Sequence, residues 1–438
     1  MFYLNKDTDL SAALLEKMIS RFHINVRPKL EKYKKYYDGI QIILNKAYVD
    51  PTKPCNKTVI NYCRSIADAF AGYMATPGHI SYRSEQDIED IMDILRYNDY
   101  QSEDANFLTN ALIYGTAAEL MYIDSEGKTR FKQINPTQCF GVYDDSLTED
   151  LLYFVRIYLV NEWDDSNIYN VDVYTDKSIR QYKMSGMNGS LQFVDEQPHY
   201  FNQCPANIFM LPDEKSIFDC IMSIQDSVNE LISGEIDDFS AFCDAYLCLE
   251  GVDADTDDIA AMKQNRVILL PTGAKASYLT KSANDSQVEN ILKRLHDSIY
   301  RIAQCPDFSS ESFVSGVSSG IAIQYRLTGM ENRAGIIESM MKKALQRRIE
   351  IISGIASLKL GEAIFRDIEI DFVRNIPADE TAQINMINSL KGMVSDETLL
   401  SQLDFINDPV AEVEKVQQQK KDSMSLYALS PTGSLFAS

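Results

Sequence analysis

The chain has no GxxxxGK[ST] string, so it lacks the loop whose backbone N–H groups cradle nucleotide phosphates. The nearest glycine strings, GMNGS from Gly186 and PTGAKAS from Pro271, have the wrong spacing. There is no HExxH, and His23, His79, His199 and His296 lie far apart with no Cys or Asp at ligand spacing, which argues against zinc. GxSxG is absent; SGVSSG from Ser315 lacks the apolar strand that a nucleophile elbow needs. The acidic pairs Asp237-Asp238 and Asp257-Asp258 read as solvated acid rather than as a magnesium site. No CxxC occurs; Cys55, Cys63, Cys139, Cys204, Cys220, Cys243, Cys248 and Cys305 are scattered and read as buried free thiols in a reducing compartment. No apolar run approaches the ~20 residues of a membrane span. Met1 to Lys6 shows no basic segment followed by an apolar one, so the expectation is assembly in cytosol, away from membrane.

Basic charge is also scarce. Lys and Arg total 42 against 64 Asp and Glu, a net charge of −22. That excludes a protein that coats nucleic acid through a basic face. It does not exclude DNA as cargo, because a wall past which a polyanion slides should repel it weakly. These absences point to a protein that is not an enzyme and uses no cofactor or metal. An enzyme with an unrecognised acid site is the weakest alternative.

What is present is a pair of seamed helices. Ile217, Ile221, Ile224, Val228 and Leu231 step by 4, 3, 4, 3, and Val288, Leu292, Leu295, Ile299 and Ile302 do the same. This spacing predicts a narrow apolar seam on each helix. The remainder is polar: Asp219, Asp226, Glu230 and Glu235 on the first, Glu289, Lys293, Arg294 and Asp297 on the second. A helix with one thin seam and much wet surface suits a ring or bundle of several copies. Between the two lies a strand-rich insert (DAYLCLEG, RVILL, KASYLT), too small for a catalytic domain.

The rest of the chain divides by periodicity. Helix is expected over 1–38, ending at Gly39, over 58–75 and over 85–115, with Gly115 as C-cap. From 117 to about 210, β-branched and tyrosine-rich runs predict a meander-like antiparallel sheet, with a hairpin turn at DSEG. Leu211-Pro212-Asp213 reads as a helix entry capped near Asp213 or Ser216. Phe308 to Gly320 reads as an exposed loop, followed by one long helix to about Gly354, with Gly329 and Gly335 as a kink or close approach. Lys342, Lys343, Arg347 and Arg348 cluster on that helix, as ion-pair partners for a neighbouring subunit or as contacts for phosphate. A strand is expected over 365–374, then polar helices, then a disordered tail after Asp422.

Read in order, these blocks resemble the portal (head-to-tail connector) proteins of long-tailed double-stranded DNA phages of Gram-positive bacteria. KYYDGIQIIL and VINYCRSIADAFAGYMATPGHISY resemble the family's N-terminal block. LIYGTAAELMYIDSEGKTRFKQINPTQCFGVYD resembles its wing, and SIQDSVNELISGEIDDFSAFCDAYLCLEG its first stem helix leading into the clip. PDFSSESFVSGVSSGIAIQYRLTGMENRAG resembles the tunnel loop and the helix behind it, and SDETLLSQLDFINDPVAEVEKV the crown. The order of the blocks is the specific part, since each alone is weak.

The resemblance implies an α+β, mainly α, portal fold around an axial channel, in a ring of about twelve copies. It implies a wing at 1–212, stem helices at 213–240 and 285–306, and a clip at 241–284. A tunnel loop at 307–320, a long kinked helix returning to the wing at 321–375, a crown at 376–422 and a disordered tail at 423–438 complete it. Phe308, Ser309, Ser310, Phe313, Val314 and Ser315 would face DNA in the channel, with Asp219, Asp226, Glu230 and Glu235 lining the stem bore. Implied partners are other copies of the chain, double-stranded DNA, the terminase large subunit and head-tail adaptor at the clip, and major capsid and scaffold protein around the wing. The implied location is the capsid vertex of the virion. The short crown and tail depart from the family pattern. Another head-tail adaptor or minor capsid protein is the alternative.

Overall fold

The computed structural model describes residues 2–47, 54–159, 167–187, 189–243, 246–251, 255, 270, 272–279, 285–309, 320–356, 367–374, 389–400, 412–413 and 415–419. The chain divides into two compact units: Met1–Asp307 with Gly329–Asn375, and Phe308–Thr328 with Ile376–Ser438. Helix and strand are mixed, as expected. No helix among the described residues is long and apolar enough to cross a membrane.

The first unit opens on a strand, β1 (Phe2–Leu4), where the sequence predicts helix. Helix α1 (Ala12–Arg21) starts at Ser11, whose Oγ accepts from the Leu14 N–H. A π-helical turn at Phe22–Val26 leads into α2 (Arg27–Tyr37). Pro28 explains the slip: it has no N–H to offer the carbonyl four residues back. An extended segment at 54–61 precedes α3 (Tyr62–Met74), capped by Asn61. Strand β2 (Ile80–Arg83) follows, then α4 (Glu89–Tyr97) and α5 (Tyr100–Tyr114). The single helix expected over 85–115 breaks at Asp99, which sits at φ 51°. Asn98 fixes the break by donating to the Ile94 and Thr129 carbonyls and accepting from the Phe131 N–H.

The strand region runs β3 (Thr116–Ile123), β4 (Thr129–Ile134), β5 (Cys139–Asp144), β6 (Leu151–Leu159), β7 (Ile168–Tyr174), β8 (Ser178–Ser185), β9 (Leu191–Pro198) and β10 (Ala206–Met210). The DSEG hairpin forms as predicted: Asp124 Oδ1 accepts from the Glu126 and Lys128 N–H groups, and Gly127 takes φ +76°. The expected meander is real but is only part of the arrangement. Strands β5 to β9 form it, β1 adds in parallel beside β5, and β10-β3-β4 make a separate three-stranded sheet.

Alternation along the meander supplies two cores. Val155, Val171 and Val173 pack with Leu15, Met18 and Ile19 of α1 and with Phe22 of the π-helical turn. The intervening Phe154 and Tyr174 pack on the other side with Ala118, Leu120 and Ala206 of the three-stranded sheet. A sheet covered on both faces must be apolar at successive residues, which is why these strands read as near-continuous apolar runs.

Two 3₁₀ turns then lead to α6 (Met222–Cys243). Strands β11 (Tyr246–Glu250) and β12 (Lys275–Leu279) pair antiparallel, Tyr246 opposite Leu279 and Glu250 opposite Lys275. Helix α7 (Asp285–Ala303) follows. Helix α8 (Gly320–Ala356) runs without interruption through Gly329 and Gly335, about 55 Å at 1.5 Å per residue. Strand β13 (Glu369–Phe372) returns to pair antiparallel with β2. In the second unit α9 (Asp396–Leu400) begins at Ser395, whose Oγ accepts from the Thr398 N–H.

Candidate functional site

The chain leaves the sheets and enters the helix pair at the C-terminus of α5. The last carbonyls of a helix have no partner within it. Here the incoming segment supplies partners: Leu211 N–H donates to Gly115 O, Ile217 N–H to Leu112 O, and Ser216 Oγ to Leu112 O at 3.0 Å. Asp213 and Glu214 take positive φ (58° and 51°) to make this turn. Gly115 is required twice, for its φ of +78° and because a Cβ there would stand 2.7 Å from the backbone of Glu214. The helix therefore begins at Met222, later than the sequence predicts, and Ser216 caps α5 from outside rather than starting α6.

Along α6, Gln225, Asn229, Ser233 and Asp237 form a ladder at i, i+4 spacing. The first three are fully buried. They meet alternate residues of the extended segment 56–62. Tyr62 N–H donates to Gln225 Oε1 at 2.9 Å, Ile60 N–H to Asn229 Oδ1 at 3.0 Å, Thr58 N–H to Ser233 Oγ at 3.0 Å, and Asn56 N–H to Asp237 Oδ1 at 2.6 Å. Four helical residues rise about 6.0 Å and two extended ones about 6.6 Å, so the two periods nearly match. Side chains of different length absorb the drift. Gln225 also donates to Ile60 O, and Asn229 to Gln41. A chain segment with no strand partner is thereby hydrogen-bonded as if it had one.

The seam residues divide. Ile217, Ile221, Val228 and Ile299 are buried; Ile224, Leu231, Val288, Leu292 and Leu295 are half-buried; Ile302 is exposed. Arg333 of α8 ties the two ends, its guanidinium donating to Ala303 O at 2.8 Å and Ile217 O at 2.7 Å.

The four stem acids do not share one wet face. Tyr33 donates to Asp219 at 2.8 Å, and Tyr36 to both oxygens of Asp226 at 2.9 and 2.7 Å. Burial, and then these acceptor carboxylates, push both phenols well above their usual range. Asp219 and Asp226 are thus turned into the chain's own fold, because α2 offers hydroxyls there. Glu230 and Glu235 stand in solvent, Glu230 with Lys46 at 3.3 Å.

The basic cluster of α8 also divides. Lys342 pairs with Glu338 at 2.8 Å, Arg347 with Glu350 and Gln203 at 2.7 Å each, and Lys343 is exposed. Arg348 corrects the expectation of a phosphate contact or of a neighbouring subunit's acid: it is wholly buried in its own chain. It binds Glu119 of β3 bidentately (2.9 and 2.8 Å) and Asp104 of α5, between the rings of Phe107 and Phe131. Asn207 of β10 donates to Glu119 at 2.7 Å and Tyr82 of β2 to Asp104 at 2.7 Å. Burial pushes the Asp104 carboxyl up, with Arg348 and Tyr82 pulling the other way; the Arg348 charge is held by its two carboxylates. The polar groups of the cluster join five elements in one dry site, which spacing along the sequence cannot reveal.

Sequence reasoning missed the α6 ladder, although its signal was present as hydrogen-bonding side chains recurring every fourth residue. It missed Arg333 entirely. Phe308 and Ser309 are exposed. Ser310, Phe313, Val314 and Ser315, most of the 252–269 insert and the tail from 420 lie outside the described residues. Cys63, Cys139, Cys204 and Cys305 are free and buried, as expected, but Cys55 and Cys248 are half-buried and Cys220 is exposed. Burial pushes the thiols of Cys139, Cys204 and Cys305 up to about 12, which makes them inert.

Comparison with known proteins places this architecture. The chain is similar to the portal protein of Clostridium phage phiCD119, 21% identical over 432 residues covering 90% of this chain and 93% of that relative. It is similar to the portal protein of Bacillus phage SPP1, 20% identical over 419 residues covering 89% of this chain and 80% of that relative. The family model described as "Phage portal protein, SPP1 Gp6-like" matches residues 17–426. With so much of its length matched in one continuous span, the chain belongs to the phage portal protein family.

Proposed function

We propose that this chain is the portal of a phage head: about twelve copies close into a ring at one capsid vertex, and double-stranded DNA passes through its bore. The observation that carries the reading is the helix pair α6 and α7 with a small two-stranded hairpin between them, set in a chain matched over residues 17–426 by a portal family. In this reading residues 1–212 and 321–375 form the wing against major capsid and scaffold protein. Residues 213–240 and 285–306 form the stem, and 376–422 the crown. The clip at 241–284 receives first the terminase large subunit and later the head-tail adaptor.

The ring is a passive conduit. Its motor is the separate terminase, consistent with a sequence that carries no phosphate-binding loop. The loop at 307–320 touches DNA, with Phe308 and Phe313 as its apolar contacts. The wall is acidic rather than gripping, with Glu235 as the stem carboxylate left to the bore. Electron microscopy of the purified chain tests this: rings with a central hole are expected. Compact solitary molecules at every concentration would end the reading.

A further inference from the structure

Helix α6 carries a groove of about 670 Å³, formed with the short 3₁₀ turn Ile42–Asn45. Ile42, Leu231, Ser227 and Glu230 line it, and the adjoining surface is apolar, with Ile40 and Ile42 56% and 57% exposed. Ser223, Ser227 and Gly234 recur along this face at helical spacing, so a second helix can come close. The rim is acidic on balance: Asp226 and Glu230 line the groove beside Lys46, which pairs with Glu230 at 3.3 Å and Asp237 at 3.6 Å, and α6 adds Glu235 and Asp238 with neither lysine nor arginine of its own.

Helix α7 presents the complementary surface. Its inward face, Val288, Leu292, Ile299 and Ala303, is committed to its own chain. A second stripe runs through Ile291, Ser298 and Ile302 at helical spacing; Ile291 is 39% and Ile302 46% exposed. Arg294 and Arg301, seven residues apart, flank that stripe, are exposed, and make no ion pair among the described residues. An apolar stripe edged by guanidinium groups fits an apolar groove edged by carboxylates.

We propose that α7 of one copy lies in the α6 groove of the next, with Ile291 and Ile302 covering Ile42 and Arg294 reaching Glu230. The two faces are different surfaces of one chain. Their union is therefore heterologous, and repeated with a closing rotation it generates a ring. This rests on the ring reading above and adds which faces meet and which charges set their register.

The test uses the full chain and measures assembled mass by sedimentation velocity at low salt across a concentration series. Glu230→Arg alone, Arg294→Glu alone and Ile302→Asp alone should each raise the concentration needed for assembly about tenfold or more. The double variant Glu230→Arg/Arg294→Glu should restore it. Circular dichroism and thermal melting verify that each chain is folded. Either single charge variant assembling as the unmutated chain does overturns the proposal and leaves the ring intact. So does a folded double variant that fails to recover, which is also the outcome expected if Arg294 serves a polyanion rather than a second copy. An unmutated chain that never assembles overturns the ring reading itself, and this pairing with it.

Discussion

Arg348 of α8 and Glu119 of β3 face each other through two parallel hydrogen bonds of 2.9 and 2.8 Å, with neither side chain reaching water. Two carboxylates and one guanidinium share that site, and further donors come from Tyr82 and Asn207. Removing the cation leaves both carboxylates desolvated without their counter-charge. Arg348→Ala should therefore cost about 3–5 kcal/mol, far more than truncation of an exposed arginine. Chemical denaturation measures it, and a loss under about 1 kcal/mol would refute the account.

The α6 ladder predicts a graded series. Asn229→Ala removes a wholly buried amide and leaves the part-buried Ile60 N–H without its acceptor, and should cost about 1–3 kcal/mol. Asp237→Ala, at the rung nearest solvent, should cost less because water can replace the carboxylate. Hydrogen exchange at residues 56–62 should accelerate in Asn229→Ala first at Ile60. Uniform behaviour of the two variants would argue that the ladder does not act residue by residue.

His199 predicts a pH dependence near neutrality. Its Nε2 donates to Thr175 O at 3.0 Å and its Nδ1 accepts from the Phe201 N–H at 3.3 Å, so the folded state needs a neutral ring. Burial holds its pKa below the ordinary value of 6.5. The folded chain therefore binds fewer protons than the unfolded one. This contribution is complete above pH 6.5 and is lost as the pH falls from there through the folded-state pKa. His199→Gln should flatten the difference between stability at pH 7 and pH 5 relative to the unmutated chain. Parallel curves for the two would dismiss His199 as the titrating group.

If the loop at 307–320 contacts DNA, deleting Ser309 to Ser318 should leave assembled mass unchanged and reduce the amount of DNA packaged in a terminase-driven assay. Undiminished packaging would remove the loop from the conduit.

Much of this was legible along the chain. The alternating strands, the hairpin at DSEG, the cap at Gly115 and the long helix 320–356 follow from local preferences that act within a few residues. The order of blocks carried the family. The misreadings share one cause. Asp219, Asp226 and Arg348 are charged and sit at helical spacing beside other polar residues, so local rules assign them to water. Whether such a group is wet depends on what another part of the chain places against it. Tyr33 and Tyr36 reach the two aspartates from nearly two hundred residues upstream, and Glu119 reaches Arg348 from still further.

The sequence by itself determined the classes of element, the absence of a nucleotide-binding loop and the acidity of the whole, because these depend on side-chain chemistry and short-range periodicity. Only the tertiary structure decided which polar groups are internal. Burial and partner geometry arise from contacts between distant segments, and a buried charge is tolerated only where the fold brings its counterpart within hydrogen-bonding distance.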